Sequence, residues 1–169
     1  LATLPNGHLA IGIRLGAAGR IDVLVVGAVS PVKERTIDCG SGVRALAVLA
    51  NGHLAAGCED GHVRVLDTGT TTVTDTLKGH TGKVTALAAL PDGSLVSASA
   101  DGTLRVWSVV GGRFACVATL TGHTDQVRML AVLADGRLAS GSWDDTVRLW
   151  DVGARACVQV LDEVGNVGA

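Results

Sequence analysis

Two stretches of the chain carry the side chains that nucleophilic hydrolases use. One set is His80, Ser97 or Ser99, and Asp101, and the other is His123, Ser140 or Ser142, and Asp144. A histidine between a serine hydroxyl and an aspartate can act as the general base that activates the hydroxyl. A catalytic nucleophile, however, is normally single and opens onto a cleft. Because the set occurs twice at the same spacing, we expect a structural role and predict no catalytic residue.

The spacing of the histidines and cysteines does not indicate a metal-binding site. His80 and His123 are not accompanied by further ligands at metal-binding intervals, and the four cysteines form no CxxC pair. We therefore expect neither a metal site nor another cofactor.

An Asn-Gly or Asp-Gly pair marks a repeating unit along the whole chain. The pairs begin at Asn6, Asn51, Asp92 and Asp135, at intervals of 45, 41 and 43 residues. An apolar run precedes each pair and a second run follows it, as in a β-hairpin. A second turn, at Asp60, Asp101 or Asp144, leads to a third run that alternates like a strand. A more polar fourth run closes the unit.

Four short strands in a unit of about 40 residues are typical of a β-propeller blade. No helical periodicity competes with this pattern, and no linker divides the chain. We predict an all-β, single-domain propeller segment whose four blades each contain four antiparallel strands. The predicted blades cover residues 1–38, 39–79, 80–122 and 123–163, and residues 164–169 begin the next innermost strand.

These units resemble the WD40 repeat family. The resemblance is carried by Gly79-His80 and Gly122-His123, by the turn residues Asp101 and Asp144, and by Trp107 and Trp150, the last followed by Asp151. It implies that each blade holds a hydrogen-bonded chain of tryptophan, serine, histidine and aspartate. We expect both tryptophans to be buried, each with its indole N–H bonded to a serine of the preceding strand. The sequence leaves open which serine completes each chain.

The first two units depart from the family pattern. In the second unit the corresponding positions hold Cys39, Cys58 or Ala56, Asp60 and Leu66, and in the first unit Leu24 replaces the tryptophan. We therefore expect apolar packing alone to hold these two blades. Cys39 and Cys58 are expected to be buried free thiols, with a disulfide as the alternative.

The resemblance also implies a non-catalytic protein–protein interaction scaffold, with a propeller enzyme carrying an axial active site as the alternative. The residues that precede the turn aspartates are Glu59, Ala100 and Trp143. Trp143 is the leading contact candidate because tryptophan is enriched at binding hot spots, although it could instead pack on a neighbouring blade. Further candidates lie near the starts of the innermost strands and could rim the central channel: Arg44, Lys83, Gln126 and Arg128.

Charge and hydropathy argue against nucleic acid and membranes as partners. The chain has 14 basic and 16 acidic residues and a formal net charge of −2, which predicts neither nucleic-acid nor membrane binding. Its longest apolar runs are too short to span a bilayer. The cysteine pattern favours an intracellular location, cytoplasmic or nuclear. A protein or peptide partner is therefore expected.

The two ends of the chain read as parts of one strand. Residues 165–169 followed by residues 1–9 give GNVGALATLPNGHL, which aligns with GKVTALAALPDGSL from Gly82. The ends could meet and complete one blade, or the chain could be an arc of a larger propeller. We expect an arc completed by the same parent chain or by a second copy, because four blades would require sharp angles and an open arc exposes sheet edges.

Overall fold

The fold consists of antiparallel β-strands joined in hairpins. A computed structural model describes residues 2–4, 9–15, 18–26 and 31–162 of the chain. The strands in these residues form four sheets, each made of four consecutive antiparallel strands. This part of the chain contains no helix, and hence none that could cross a membrane. The all-β prediction is confirmed.

Each sheet follows the order of its strands in the sequence. The first contains β1 (Ala2–Thr3), β2 (Leu9–Leu15), β3 (Ala18–Val26) and β4 (Pro31–Asp38). The second contains β5 (Val43–Val48), β6 (Leu54–Cys58), β7 (Val63–Asp67) and β8 (Thr72–Leu77). The third contains β9 (Val84–Ala89), β10 (Leu95–Ser99), β11 (Leu104–Val110) and β12 (Arg113–Leu120). The fourth contains β13 (Val127–Val132), β14 (Leu138–Ser142), β15 (Val147–Asp151) and β16 (Ala156–Leu161).

The repeated turn residues form the hairpins between the first two strands of a sheet. The Asp92 carboxylate accepts a hydrogen bond from the Ser94 backbone N–H at 2.9 Å, and Gly93 adopts a φ of +85°. Asn51 and Asp135 make the same contact in their sheets. A tight turn is fixed when an Asn or Asp side chain accepts the backbone N–H of the residue two positions later and the intervening glycine adopts a positive φ.

Neighbouring sheets pack face to face and share apolar cores. The innermost strands contact one another in the order β5, β9 and β13, and β2 also contacts β5. One core joins the first and second sheets through Ile21, Ile37, Leu54 and Leu66. Two further cores join the second sheet to the third and the third to the fourth. Each blade is therefore stabilised mainly by its neighbours.

Among the described residues, one face of the fourth sheet has no such neighbour. Leu77, Leu120 and Leu161 pair with equivalent positions of the third strands, yet Leu77 is 3% and Leu120 2% exposed while Leu161 is 37% exposed. Met129, at 50% exposure, is another apolar side chain left open on this sheet. Within the described residues the four sheets do not close into a ring. Residues 1 and 163–169, which bear on whether the ends meet, lie outside the described residues.

The second turn of each blade also contacts the next blade. Gly61 adopts a φ of +80°, and a Cβ placed there would lie 2.8 Å from the backbone oxygen of His80. Gly102 has the same φ and faces the His123 backbone oxygen. In the fourth sheet this position is Asp145, at a φ of +62°. Glycine thus occupies the turn where a neighbouring loop of the described chain leaves no room for a side chain.

Candidate functional site

A buried network of hydrogen bonds links polar side chains of the third blade. The Trp107 indole N–H donates to Ser97 Oγ at 2.8 Å, and Ser97 Oγ lies 2.8 Å from His80 Nε2. His80 Nδ1 lies 2.9 Å from Asp101 Oδ2, and the other Asp101 oxygen accepts from Thr103 Oγ1 at 2.7 Å. Ser97, His80 and Trp107 are all buried. The structure therefore brings the predicted residues of this blade into one network.

The fourth sheet repeats this arrangement. Trp150 donates to Ser140 Oγ at 2.8 Å, and Ser140 Oγ lies 2.7 Å from His123 Nε2. His123 Nδ1 lies 2.8 Å from Asp144 Oδ2, and Thr146 Oγ1 donates to Asp144 Oδ1 at 2.7 Å. The His123 and Trp150 rings also meet edge to face, with 6.1 Å between their centroids.

The hairpin register separates the two serines of each blade. Ser97 lies opposite Arg105, two positions from Trp107 along β11, which places its hydroxyl within reach of the indole. Ser99 instead accepts a hydrogen bond from the Asp101 backbone N–H at 3.1 Å. Ser142 makes the same turn contact to Asp144, also at 3.1 Å. One serine of each pair therefore belongs to the hydrogen-bond network with tryptophan and histidine, and the other stabilises the turn.

The threonines of these networks were missed by the sequence interpretation. Thr103 and Thr146 each stand two residues after the turn aspartate, and each donates both its hydroxyl and its backbone N–H to that carboxylate. The signal was present as the repeated Asp-x-Thr in the two units that also contain Trp and His.

The hydrogen-bond directions define the histidine tautomer. An ionised carboxylate can only accept, so His80 Nδ1 carries a proton and donates it to Asp101. An indole N–H can only donate, so Ser97 Oγ accepts from Trp107, and its own proton is available to His80 Nε2. The same assignment satisfies His123. Neutral imidazole therefore fits both networks, because its Nε2 accepts the serine proton, whereas imidazolium would direct an N–H at the same oxygen and remove this acceptor.

Burial and hydrogen bonding shift the pKa values of these groups. Burial lowers the pKa of His80 and of His123, although the adjacent aspartates act in the opposite direction. Burial would raise the pKa of Asp101, but hydrogen bonds from Thr103 and Thr81 outweigh it and lower that pKa to about 2. The pKa of Asp144 is lowered in the same way.

These shifts predict that acid destabilises the protein in two steps. Because the folded pKa of each buried histidine lies below its ordinary value, unfolded chains bind more protons once the pH falls below about 6.5. The contribution of the two histidines to the free energy of unfolding should be fully present above that pH and should decline below it. The contribution of the aspartates should decline below about pH 4, as their lowered pKa values are approached. Urea unfolding followed between pH 8 and pH 3 measures this. A free energy of unfolding that stays constant from pH 7 to pH 5 would contradict the histidine assignment.

The serine, histidine and aspartate distances resemble those of a hydrolytic triad, but access to the oxygen differs. Ser97 is 0% exposed, and its oxygen already accepts the Trp107 indole N–H. A substrate carbonyl would have to displace that ring before it met the hydroxyl. The geometry therefore supports a stabilising role for both networks.

The expectation that apolar packing alone holds the second blade was wrong. In that blade Arg64 makes two hydrogen bonds to Asp60, at 3.1 and 2.6 Å, and His62 Nδ1 lies 3.1 Å from the same carboxylate. Burial would raise the pKa of Asp60, but these hydrogen bonds lower it below its usual range. Where Cys39 replaces the histidine, the turn aspartate thus pairs with an arginine of its own blade.

The first blade likewise contains a buried polar contact. Asp22 is 6% exposed, and it accepts a hydrogen bond from Thr36 Oγ1 at 2.8 Å and lies 3.3 Å from Arg20. Apolar packing is therefore not the only interaction holding this blade either.

Cys39 and Cys58 are free thiols. Both are buried in the core shared by the first and second sheets. Burial raises the pKa of Cys39 to about 12, which keeps this thiol protonated and unreactive at neutral pH. Among the described residues no group of three histidine, cysteine or acidic side chains could hold a metal ion.

The loops beside the networks form a rim that we call the turn-side rim, consisting of residues 39–44, 59–62, 78–85, 100–103, 121–128 and 143–146. Here the residue before each turn aspartate donates its backbone N–H to the start of the innermost strand. Glu59 bonds to Gly42, Ala100 to Lys83 and Trp143 to Gln126, at 2.8 to 3.0 Å. The rim thus presents three equivalent positions on one scaffold.

A β-bulge sits next to each of these positions. The strand register shifts between Val43 and Ala45 and between Val127 and Met129, so Arg44 and Arg128 are the bulge residues. Thr85 holds the same position in the third sheet, and its single hydroxyl proton is shared between Ala98 O and Val127 O. Bulges redirect side chains at sheet edges and next to functional sites.

The candidate contact residues differ in what they touch. Arg44 Nη1 bonds to Glu59 Oε1 at 2.7 Å, so the predicted candidate Glu59 is engaged within its own blade. Trp143 is 45% exposed, and the Arg128 guanidinium lies 4.8 Å from the centroid of its ring. Lys83 is exposed, and Gln126 is half-buried beside Trp143. The structure therefore packs Trp143 on an arginine of its own blade and leaves much of the ring open.

Comparison with known proteins agrees with this architecture. The model of the family "WD domain, G-beta repeat" matches residues 32–67, 71–108 and 114–151, which is more than half of the chain. The chain belongs to the WD-repeat family. The predicted resemblance is confirmed.

Several curated proteins share this similarity over parts of the chain. A p21-activated protein kinase-interacting protein 1-like protein of Xenopus laevis is 38% identical over 44% of this chain and 21% of its own length. Ribosome biogenesis protein YTM1 of Podospora anserina is 48% identical over 33% of this chain and 12% of its own. Pre-mRNA-processing factor 19 of Mus musculus is 47% identical over 33% of this chain and 11% of its own. The chain thus spans about a fifth or less of the length of these relatives.

Proposed function

We propose that this chain is a non-catalytic interaction scaffold that binds a protein or peptide on its turn-side rim. The observation that carries the proposal is Trp143, a large aromatic side chain left 45% exposed in the turn after β14, beside Arg128. Tryptophan and arginine are both enriched at binding hot spots. Arg128 stands on β13, and the Trp143 backbone N–H is hydrogen-bonded to Gln126 O, directly before that strand.

The family relationship supports this choice of partner class. The name of the Xenopus laevis relative describes an interaction with a protein kinase, and the other two names refer to ribosome biogenesis and pre-mRNA processing. The net charge of −2 gives no reason to propose nucleic acid or a membrane as the partner. Catalysis is not proposed, because the serine hydroxyls of both networks are buried and already hydrogen-bonded.

Replacing Trp143 with alanine should weaken partner capture by at least about tenfold, as expected for an aromatic hot spot. The measurement is a quantitative affinity purification with the intact protein as bait, comparing the wild type with the variant. Val110→Ala is the matched control, because Val110 is 58% exposed at the opposite end of its sheet. Equal loss in the two variants, or no loss in Trp143→Ala, would contradict the proposal.

We propose also that a further blade covers the open face of the fourth sheet. Leu161 and Met129 are exposed there, and the equivalent faces of the second and third sheets are buried by a neighbouring sheet. The covering blade would come from the same polypeptide or from a second copy. Light scattering distinguishes these sources, because only the second copy doubles the mass. A monomer with no further blade would contradict both.

A further inference from the structure

We propose that Arg128 binds a carboxylate of the protein partner, an aspartate or glutamate side chain, and that the Trp143 ring flanks this contact. The inference rests on the proposed function, since it names the chemistry of the partner at the same rim. It follows from a comparison of equivalent positions in the second and fourth sheets.

The second sheet shows what a bulge arginine binds at this position. Arg44 follows Val43 in β5, and its guanidinium bonds to Glu59 Oε1 at 2.7 Å. Glu59 precedes the turn aspartate, and its backbone N–H donates to Gly42 O at 2.8 Å. The scaffold of the rim therefore places a carboxylate directly against the bulge arginine.

The fourth sheet has the same scaffold but lacks this carboxylate. Arg128 follows Val127 in β13, and Trp143 occupies the position of Glu59, with its backbone N–H bonded to Gln126 O at 3.0 Å. The guanidinium carbon lies over the ring, 4.8 Å from its centroid, and a cation–π contact of this kind does not need the N–H donors as hydrogen-bond donors to the ring. Among the described residues no carboxylate forms an ion pair with Arg128.

Two acidic residues on the neighbouring loops do not act as the carboxylate partner of Arg128. Asp125 Oδ1 accepts a hydrogen bond from the Gln126 backbone N–H at 2.6 Å, and Asp145 lies two residues after Trp143 at a φ of +62°. Neither forms an ion pair with Arg128 in the described part of the chain. Lys83 is exposed at the equivalent end of the adjacent innermost strand and adds another positive charge to the rim.

A carboxylate suits this position better than a phosphate. Glu59 provides a carboxylate as the ligand of Arg44 within the chain itself. Phosphorylated motifs are usually recognised by clusters of arginines, whereas the fourth sheet offers one guanidinium beside a ring. An acidic residue next to an apolar one in the partner would match both Arg128 and Trp143.

The test uses a phage-displayed library of random dodecapeptides selected on the intact wild-type protein, with bound peptides eluted and sequenced. Two variants form a matched pair: Trp143→Glu recreates the pair seen between Arg44 and Glu59, and Trp143→Gln has the same shape without the charge. Arg128→Gln removes the cation. Thermal unfolding of each variant verifies that it folds, and fluorescence anisotropy measures the affinity of the selected peptides.

Selected peptides should be enriched in aspartate and glutamate, and Arg128→Gln should weaken their binding by about tenfold or more. Trp143→Glu should weaken it by a larger factor than Trp143→Gln, because only the glutamate occupies Arg128. Peptides without acidic enrichment, no selection above a protein-free control, or equal binding to the matched pair would overturn the inference. If Trp143→Ala still reduces partner capture in any of those cases, the proposed function stands and only the carboxylate contact fails.

Discussion

Replacing Ser140 with alanine should lower the free energy of unfolding by about 3 kcal/mol, because two buried polar groups lose their partner at once. Ser140 Oγ accepts the Trp150 indole N–H at 2.8 Å and lies 2.7 Å from His123 Nε2. Ser140 and Trp150 are each about 1% exposed, so water cannot replace the lost hydroxyl. Urea unfolding monitored by tryptophan fluorescence measures the change.

Ser108→Ala is the control for this substitution. Ser108 is half-buried, and its hydroxyl shares a hydrogen bond of 2.7 Å with Ser94. Water can reach it, so we expect a loss below about 1 kcal/mol. If Ser140→Ala costs no more than Ser108→Ala, the buried chain contributes little to stability and the role assigned to it is wrong.

Gly61→Ala should cost about 3 kcal/mol for a different reason. Gly61 holds a φ of +80°, which costs an L residue about 1–2 kcal/mol. The new Cβ would also lie 2.8 Å from His80 O and 3.0 Å from Gly82 O, both backbone atoms of the next blade. Backbone cannot move aside as a flexible side chain can, so the contact between the second and third sheets must open. Thermal or urea unfolding measures the loss.

Gly93→Ala separates the two contributions. Gly93 has a φ of +85°, and no atom lies within 4 Å of a Cβ placed there. This variant should show only the backbone cost of about 1–2 kcal/mol. Equal losses at Gly61 and Gly93 would mean that the contact between blades contributes nothing measurable.

Local sequence determined the strands and turns. Alternating residues such as Leu104, Arg105 and Val106 form β11 because successive side chains of a strand point to opposite faces. Asp92 and Gly93 form a hairpin turn because their side chain and backbone preferences act within a few residues. Such interactions require no knowledge of distant contacts. The repeat therefore predicted the four four-stranded sheets, and the paired Trp, His and Asp residues indicated the WD-repeat family.

Tertiary structure decided which equivalent residues meet. Ser97 and Ser99 are chemically identical and lie on the same face of β10, so only the register with β11 assigns Ser97 to Trp107. This outcome depends on hydrogen-bond register across strands, which residue types alone do not specify.

At the turn-side rim and at the open face of the fourth sheet, local sequence predicted the residue types and tertiary structure decided their contacts. The sequence by itself identified Trp143, Lys83, Gln126 and Arg128 as candidate contacts, but the packing of Arg128 on the Trp143 ring depends on a bulge in β13. The sequence also showed apolar runs in every unit, whereas the exposure of Leu161 follows from the absence of a neighbouring sheet among the described residues. Strand formation follows from interactions between near neighbours in the chain. Side-chain pairing and burial follow from contacts between sheets, and only the assembled structure provides those.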